Sequence, residues 1–380
     1  MTDFFAYETL TWPDAAALPR STPLILPLGD DYDWPRVAQA LDNPPQVGRL
    51  PALPFGWRGS GLTVDESKLG ALVANLLESL CEDGFARVYA LTPPELKLGL
   101  GAASLVQRTD AFDRPTLFLP DDAARDKVVL IPIGHTEQHG RHLPLSTDTE
   151  IINAIAQATA VRIPDQAVTL PAFPYGVSTH RSAFAGTLNC GGRAFEDFWL
   201  AVIDGLAVRG FDRFYFMSGH GGNCSFLVTV VKYAGERHRR IFCATTWLHT
   251  SGHLGAPAIA RHRVSARGGM GHAGELETAM LLHLRPDLCR MDRVIDETDF
   301  ITTPNYYMDW IEGGALVANP PWEDDSITGA YGAGSTATAE HGRLWLEAAV
   351  AEKCDHVAEI HEQQRRREER RQNGWGGWGA

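Results

Sequence analysis

The six cysteines, Cys81, Cys190, Cys224, Cys243, Cys289 and Cys354, are scattered with no CxxC pair. That argues against a disulfide framework and for reduced thiols used as small core residues. No stretch approaches the roughly 18 uninterrupted apolar residues of a membrane span. The opening MTDFFAYETL has an acid at Asp3 and no basic n-region, so neither a secretory signal nor a transit peptide is expected, and the cytoplasm is the expected location. Basic residues are few. Lys and Arg number 34 against 47 Asp and Glu, for a formal charge of -13, which speaks against nucleic acid as a partner. The one basic cluster, Arg365-Arg366-Arg367-Glu368-Glu369-Arg370-Arg371, precedes NGWGGWGA with Trp375 and Trp378. It reads as a helix end running into a flexible tail over 363–380.

What remains is a globular chain, 44% hydrophobic and 21% charged, whose 380 residues exceed one ordinary core. Two units are expected. Lys127-Val128-Val129-Leu130-Ile131-Pro132-Ile133 reads as a buried strand emptying into GHTEQHGRHLPLSTD, which carries Glu137, His139, His142 and Asp148. Phe195, Phe198, Trp199, Val202, Ile203 and Leu206 recur at helical spacing, Gly210 supplies a stop, and Arg213 to Met217 reads as the next strand. That strand ends in Ser218-Gly219-His220-Gly221-Gly222-Asn223, and a helix with Phe226, Val228, Val230, Val231 and Tyr233 follows. Strand, glycine loop and helix make the βα turn of a parallel sheet, where sites gather at the carboxyl ends of strands. A third polar knot, Gly271-His272-Ala273-Gly274-Glu275-Leu276-Glu277-Thr278, opens another apolar run. Singly, such knots are solvated loops or turns. Together they offer carboxylates and imidazoles, ligands suited to zinc, manganese or iron. A two-metal site that deprotonates a bridging water and polarises a carbonyl follows from such a set, and hydrolysis from such a site.

At these residues the sequence resembles the creatininase (creatinine amidohydrolase) family: EQHGxHLPLxTD at 137–148, GHGGN at 219–223 and HAGExET at 272–278 occur in the family's order, and the likeness extends over about 125–360 with GSTATAEHG at 334–342. The resemblance implies a three-layer α/β/α fold with a mainly parallel sheet, binding two divalent metals, zinc ahead of manganese or iron. It implies Glu137, His139, Asp148 and His220 as ligands with Asp148 bridging, Glu277 completing the set, and His272 shuttling a proton to the leaving nitrogen. The substrate implied is a small cyclic amide, lactam or formamide, its C–N bond cut by a metal-bridged hydroxide; the expected assembly is a homo-oligomer, dimer to hexamer. His180, Arg181, Trp247 and Asn223 are the candidate substrate-binding residues. Creatininase carries Glu where this chain has Gly222, so Glu277 would have to serve the second metal, and Gly268 stands where an aromatic is expected. Both departures point away from creatinine. Peptide trimming in the manner of an aminopeptidase, and a metal-stabilised binding protein without turnover, stay open as rivals. Glu275 and His272 beside the ligands argue for the enzyme.

Residues 1–125 look like a shortened, degenerate copy of the catalytic unit at 126–362. LPLG at 26–29 parallels IPIG at 131–134, LPALPFG at 50–56 parallels LPAFPYG at 170–176, and GFARVY at 84–89 parallels GFDRFY at 210–215. Chance likeness of short strings is the competing explanation. Aligned this way, Tyr32, Trp34 and Pro94 stand in place of Glu137, His139 and His220, so this smaller α/β unit should bind no metal. Trp34 or Trp57 would shield the neighbouring site.

Overall fold

All residues of Val128–Ile133 are buried, and the alternation of the chain sends them to two cores. Val129, Ile131 and Ile133 join one, Val128 and Leu130 the other. A strand covered on both faces belongs inside a parallel sheet. The computed structural model describes residues 2–107, 118–179, 183–248 and 252–374.

Two all-parallel sheets organise these residues. In chain order, β1 (Asp3–Ala6), α1 (Trp12–Ala17), β2 (Leu24–Pro27), α2 (Trp34–Ala40), β3 (Gln46–Arg49), α3 (Glu66–Glu82), β4 (Val88–Thr92) and β5 (Ser104–Val106) form the first, with strand order β1-β3-β2-β4-β5. β6 (Val128–Ile133), α4 (Thr147–Arg162), β7 (Ala167–Thr169), α5 (Gly192–Val208), β8 (Arg213–Ser218), α6 (Cys224–Arg237) and β9 (Phe242–Trp247) form the second, with order β7-β6-β8-β9. α7 (Gly255–His262), α8 (Glu275–Leu284) and α9 (Ala339–Gln372) complete the described helices.

The second sheet is the middle of a three-layer α/β/α sandwich. On one face α4, α8 and α9 bury Ile152, Met280, Trp345 and Val357 with Tyr215 and Met217 of β8. On the other, α5 and α6 share a core with α3 and with Leu24, Leu26 and Leu28 at β2. That common core joins the two sheets through helices. Phe55 of the N-terminal layer lies 5.7 Å from Phe173 and 6.1 Å from Trp199 of the second layer. Gly210 ends α5 as the helical spacing predicts: at φ +94° it lets Phe211 N donate to Leu206 O, a conformation an L side chain would strain.

Proline inside a central strand ordinarily breaks the ladder. Pro132 is tolerated because β7 has already ended at Thr169, so only the proline carbonyl is used, by Phe173 N at 3.0 Å. Pro27 repeats the arrangement, its carbonyl accepting from Leu53 N at 2.9 Å after β3 has ended.

Three expectations change. α9 continues to Gln372, and Gln364 Nε2 ties it to Asp212 Oδ2 at 3.0 Å, so residues 363–372 are helix rather than tail; Trp375 and Trp378 lie outside the described residues. Trp34 packs on Phe4 at 5.3 Å and under the Arg49 guanidinium at 5.0 Å, within the N-terminal layer's own small core. Trp57 is buried in the shared core. Both side chains are thus taken up by hydrophobic cores rather than by a neighbouring site. Among the described residues no helix is long and apolar enough to cross a membrane.

Candidate metal centre

The carboxyl ends of β6 and β8 and the amino ends of α4 and α8 converge on one buried spot. Glu137 and His139 come from the loop after β6, Asp148 from the first turn of α4, His220 from the end of β8, and Glu277 from the first turn of α8. All five are at most 4% exposed. Carboxylates in first helical turns gain from the helix dipole.

Asp148 stands between the two imidazoles. Its Oδ1 is 3.1 Å from His139 Nε2 and its Oδ2 is 3.3 Å from His220 Nδ1. Around His220, Glu137 Oε1 approaches Nδ1 to 2.9 Å. Around His139, Glu277 Oε2 lies 3.8 Å from Nε2. The remaining ring nitrogens are engaged by main-chain carbonyls: His139 Nδ1 lies 3.1 Å from Glu137 O and His220 Nε2 3.0 Å from Val177 O. A carbonyl only accepts, so these contacts assign the ring protons to His139 Nδ1 and His220 Nε2 and turn the other nitrogen of each ring to the cluster. Metal-binding imidazoles are oriented by such partners. The geometry therefore fits divalent cations, and His139, Asp148 and Glu277 offer ligand atoms all within 4.8 Å of one another.

Gly222 explains why the second carboxylate comes from α8. A Cβ there would fall 2.4 Å from Val177 O and 2.4 Å from His220 Nε2, so residue 222 has no room for a side chain in this loop. Glu277 is instead delivered by the Ala273 turn, where Ala273 N donates to Glu277 Oε2 at 2.7 Å.

His272 sits against the cluster, Nδ1 3.6 Å from Glu137 Oε1 and Nε2 2.6 Å from Gln138 O. Other expected residues are placed differently. Asn223 is wholly buried, its Oδ1 accepting from Val177 N at 2.9 Å and its Nδ2 facing Gly134 O and Ser218 Oγ; it braces the loops and has no face left for substrate. Glu275 turns away to accept from Val264 N and Ser265 N. His142 bonds Thr278 Oγ1 at 3.0 Å, and burial presses its pKa down to about 4, keeping it neutral and structural. Trp247 ends β9 with its ring 5.1 Å from Trp310. His180 and Arg181 lie outside the described residues.

Three further groups stand at the site without a clear mark in the sequence. His135, the residue after Gly134, shares a potential metal-holding group with Glu137 and His220; its place in the same motif was the available signal. Trp322 lies 4.9 Å from the His272 ring, and Trp310 is 3.7 Å from where a Gly221 Cβ would stand. Both belong to a long irregular segment that carries no periodicity.

Electrostatics predicts how ions enter. Burial opposes charge on His139, but Asp148, Glu277 and Glu137 outweigh it and raise its pKa to about 9; Glu137 and Asp148 likewise raise His220 well above its ordinary value despite burial. Burial lifts Glu277 to about 7. Ion-free protein thus holds protons on these groups near neutral pH, and a cation must displace them. Affinity should rise as pH climbs toward about 9, by up to roughly ten-fold per pH unit for each proton displaced. Calorimetric titration of manganese in buffers of different ionisation heat should register proton release, and an affinity flat with pH would contradict the assignment.

A family model described as creatinine amidohydrolase matches residues 119–357. The mycofactocin precursor peptide peptidase of Mycobacterium tuberculosis is 32% identical over 235 residues, 60% of this chain and 82% of that one. The creatinine amidohydrolase of Pseudomonas putida is 28% identical over 253 residues, 62% of this chain and 91% of that one. A solved manganese creatininase superposes with TM-score 0.54 at 26% identity, covering 63% of this chain and 92% of that one.

Proposed function

This chain belongs to the creatininase family, and we propose that it hydrolyses the C–N bond of a small amide with two divalent ions sharing Asp148. The observation that carries the reading is the division of that carboxylate, one oxygen toward His139 and the other toward His220. Glu137 with His220 would complete one position and Glu277 with His139 the other. The mix of imidazole and carboxylate donors suits zinc, with manganese or iron as alternatives. Bound there, the ions would supply a water deprotonated near neutral pH and an electrophile for the scissile carbonyl.

The residues around this centre supply the rest. Ser178 Oγ donates to Glu137 Oε2 at 3.3 Å, directing Oε1 inward. His272 Nε2 lies 2.6 Å from Gln138 O, which can only accept, and 3.2 Å from Gln138 Nε2, which can only donate; the shorter contact places a proton on Nε2 and leaves Nδ1 facing the cluster. Nδ1 is then the atom that takes a proton from the attacking water and passes it to the leaving nitrogen as the C–N bond breaks. Trp322, edge-on to His272 and 4.8 Å from Tyr331, and Trp310 beside Gly221 give aromatic walls suited to a compact planar amide. A cyclic amide, lactam or formamide fits such a site.

A second reading, cleavage of a short peptide, is favoured by one observation: identity to the peptide peptidase is 32%, against 28% to the creatinine amidohydrolase. The deciding experiment loads the protein with zinc or manganese and screens lactams, cyclic amides, formamides and short peptides for ring opening, formate or new amino groups. Turnover of peptides alone selects the second reading. No turnover with either metal rejects hydrolysis and favours a binding protein.

Residues 1–125 are read here as a metal-free, shortened copy of the catalytic layer. The order β3-β2-β4-β5 matches β7-β6-β8-β9, and the parallel bridge Leu28↔Leu53 matches Ile133↔Phe173. Where the catalytic layer has Glu137, the Tyr32 hydroxyl shares its one proton between Leu28 O at 2.7 Å and Leu91 O at 3.0 Å, closing the sheet end with no ligand.

A further inference from the structure

The family match starts at residue 119, yet the segment from Glu8 to Asp14 reaches into the catalytic loops. Leu145 N donates to Leu10 O at 2.9 Å and Ser146 N to Glu8 O at 3.0 Å, while Leu145 O accepts from Glu137 N at 3.1 Å. Leu145 and Ser146 thus lie between the N-terminal segment and two of the cluster carboxylates, Glu137 on one side and Asp148 in the helix that Ser146 opens. Two residues further on, Trp12 Nε1 donates to Thr328 O at 2.7 Å. The adjoining Gly329 O accepts from Gln138 Nε2 at 2.8 Å, and Gln138 O is the partner of His272 Nε2. The Trp12 ring lies 5.3 Å from Phe184, and Arg293 pairs with Asp14 at 3.0 Å to hold the start of α1.

We propose that Glu8, Leu10 and Trp12 are positioning residues of the catalytic centre: the first two steady the loop bearing Glu137 and Asp148 through their carbonyls, and Trp12 sets the orientation of His272 through Thr328, Gly329 and Gln138. The proposal rests on the reading of His272 and the cluster given above. Physically it is an outer hydrogen-bonding layer, in which a partner acts by fixing the geometry of the group that reacts. It gives the N-terminal layer a task in catalysis without a ligand of its own.

The test uses the full chain loaded with zinc for spectroscopy or manganese for ion release. A hydrogen-bonded imidazole N–H gives a downfield proton resonance, and the one belonging to His272 is identified by its loss in His272→Ala. Trp12→Phe keeps the ring against Phe184 and removes only the indole N–H; it should shift that resonance or lose it to solvent exchange while manganese release to EDTA stays at the parent rate. Trp12→Ala also frees the segment carrying Leu10, and should release manganese roughly ten-fold faster, the scale on which lost outer partners weaken metal sites. A His272 resonance indifferent to Trp12→Phe, with release unchanged in Trp12→Ala, overturns the proposal alone. If His272→Ala removes no such resonance, the Gln138–His272 bond is refuted, and the reading of the site falls with the proposal.

Discussion

Asp148→Ala is expected to empty the protein of both ions and of activity together. Asp148 gives each imidazole its own oxygen, at 3.1 and 3.3 Å, whereas Glu137 Oε1 lies 2.9 Å from His220 Nδ1 but 3.9 Å from His139 Nε2. Without it, His139 keeps Glu277 at 3.8 Å and His220 keeps Glu137 at 2.9 Å, and the two three-residue groups that remain, Glu137 with His135 and His220 and Glu137 with His139 and His272, both draw on the one carboxylate of Glu137, too few acidic donors for two ions. The loss in affinity should exceed the roughly 10–100-fold seen when an outer partner is removed. His220→Ala should deplete mainly one ion, because Glu277 and His139 face the other position. Elemental analysis of the purified variants decides the matter, and full metal content in Asp148→Ala would reject the shared carboxylate.

His272→Ala should separate chemistry from binding. It should keep its ions and lose roughly 100-fold or more in turnover, the usual scale for a positioned acid or base. The alternative is specific, since His272 also shares a potential metal-holding group with Glu137 and His139. Metal lost along with activity would make it a ligand. Metal retained with turnover intact would leave the proton transfer to another group.

Much of this arrangement can be read in the sequence because the signals there are local. The apolar run ending at Ile133 and the helical spacing from Phe195 to Leu206 leave little freedom, and both became β6 and α5. The cluster residues occupy motifs at element ends, where a parallel sheet gathers side chains. Direction is harder to read than position. Asn223, Glu275 and His142 sit in the same motifs as the cluster residues, but each turns to an orphaned backbone or hydroxyl group nearby, and nothing in residue type separates the two fates. Contacts across long sequence distance are harder still. Trp12 meets Thr328, and Trp322 meets His272, through irregular segments whose course no periodicity fixes. Gly222 is a middle case: its difference from creatininase itself is visible in the sequence, whereas the closeness of Val177 O, which leaves no room for a Cβ there, is a property of the folded loop.

The packing of α3 against α5 within one polypeptide has a kinetic corollary. Two surfaces joined by a peptide chain meet at an effective concentration on the order of millimolar or above, whatever the concentration of protein. Dilution therefore cannot separate the N-terminal layer from the loops it touches, and a cell making this chain never has to match the supply of one half to the other. Specific activity should stay constant down to concentrations at which a centre completed by a dissociable partner would fade.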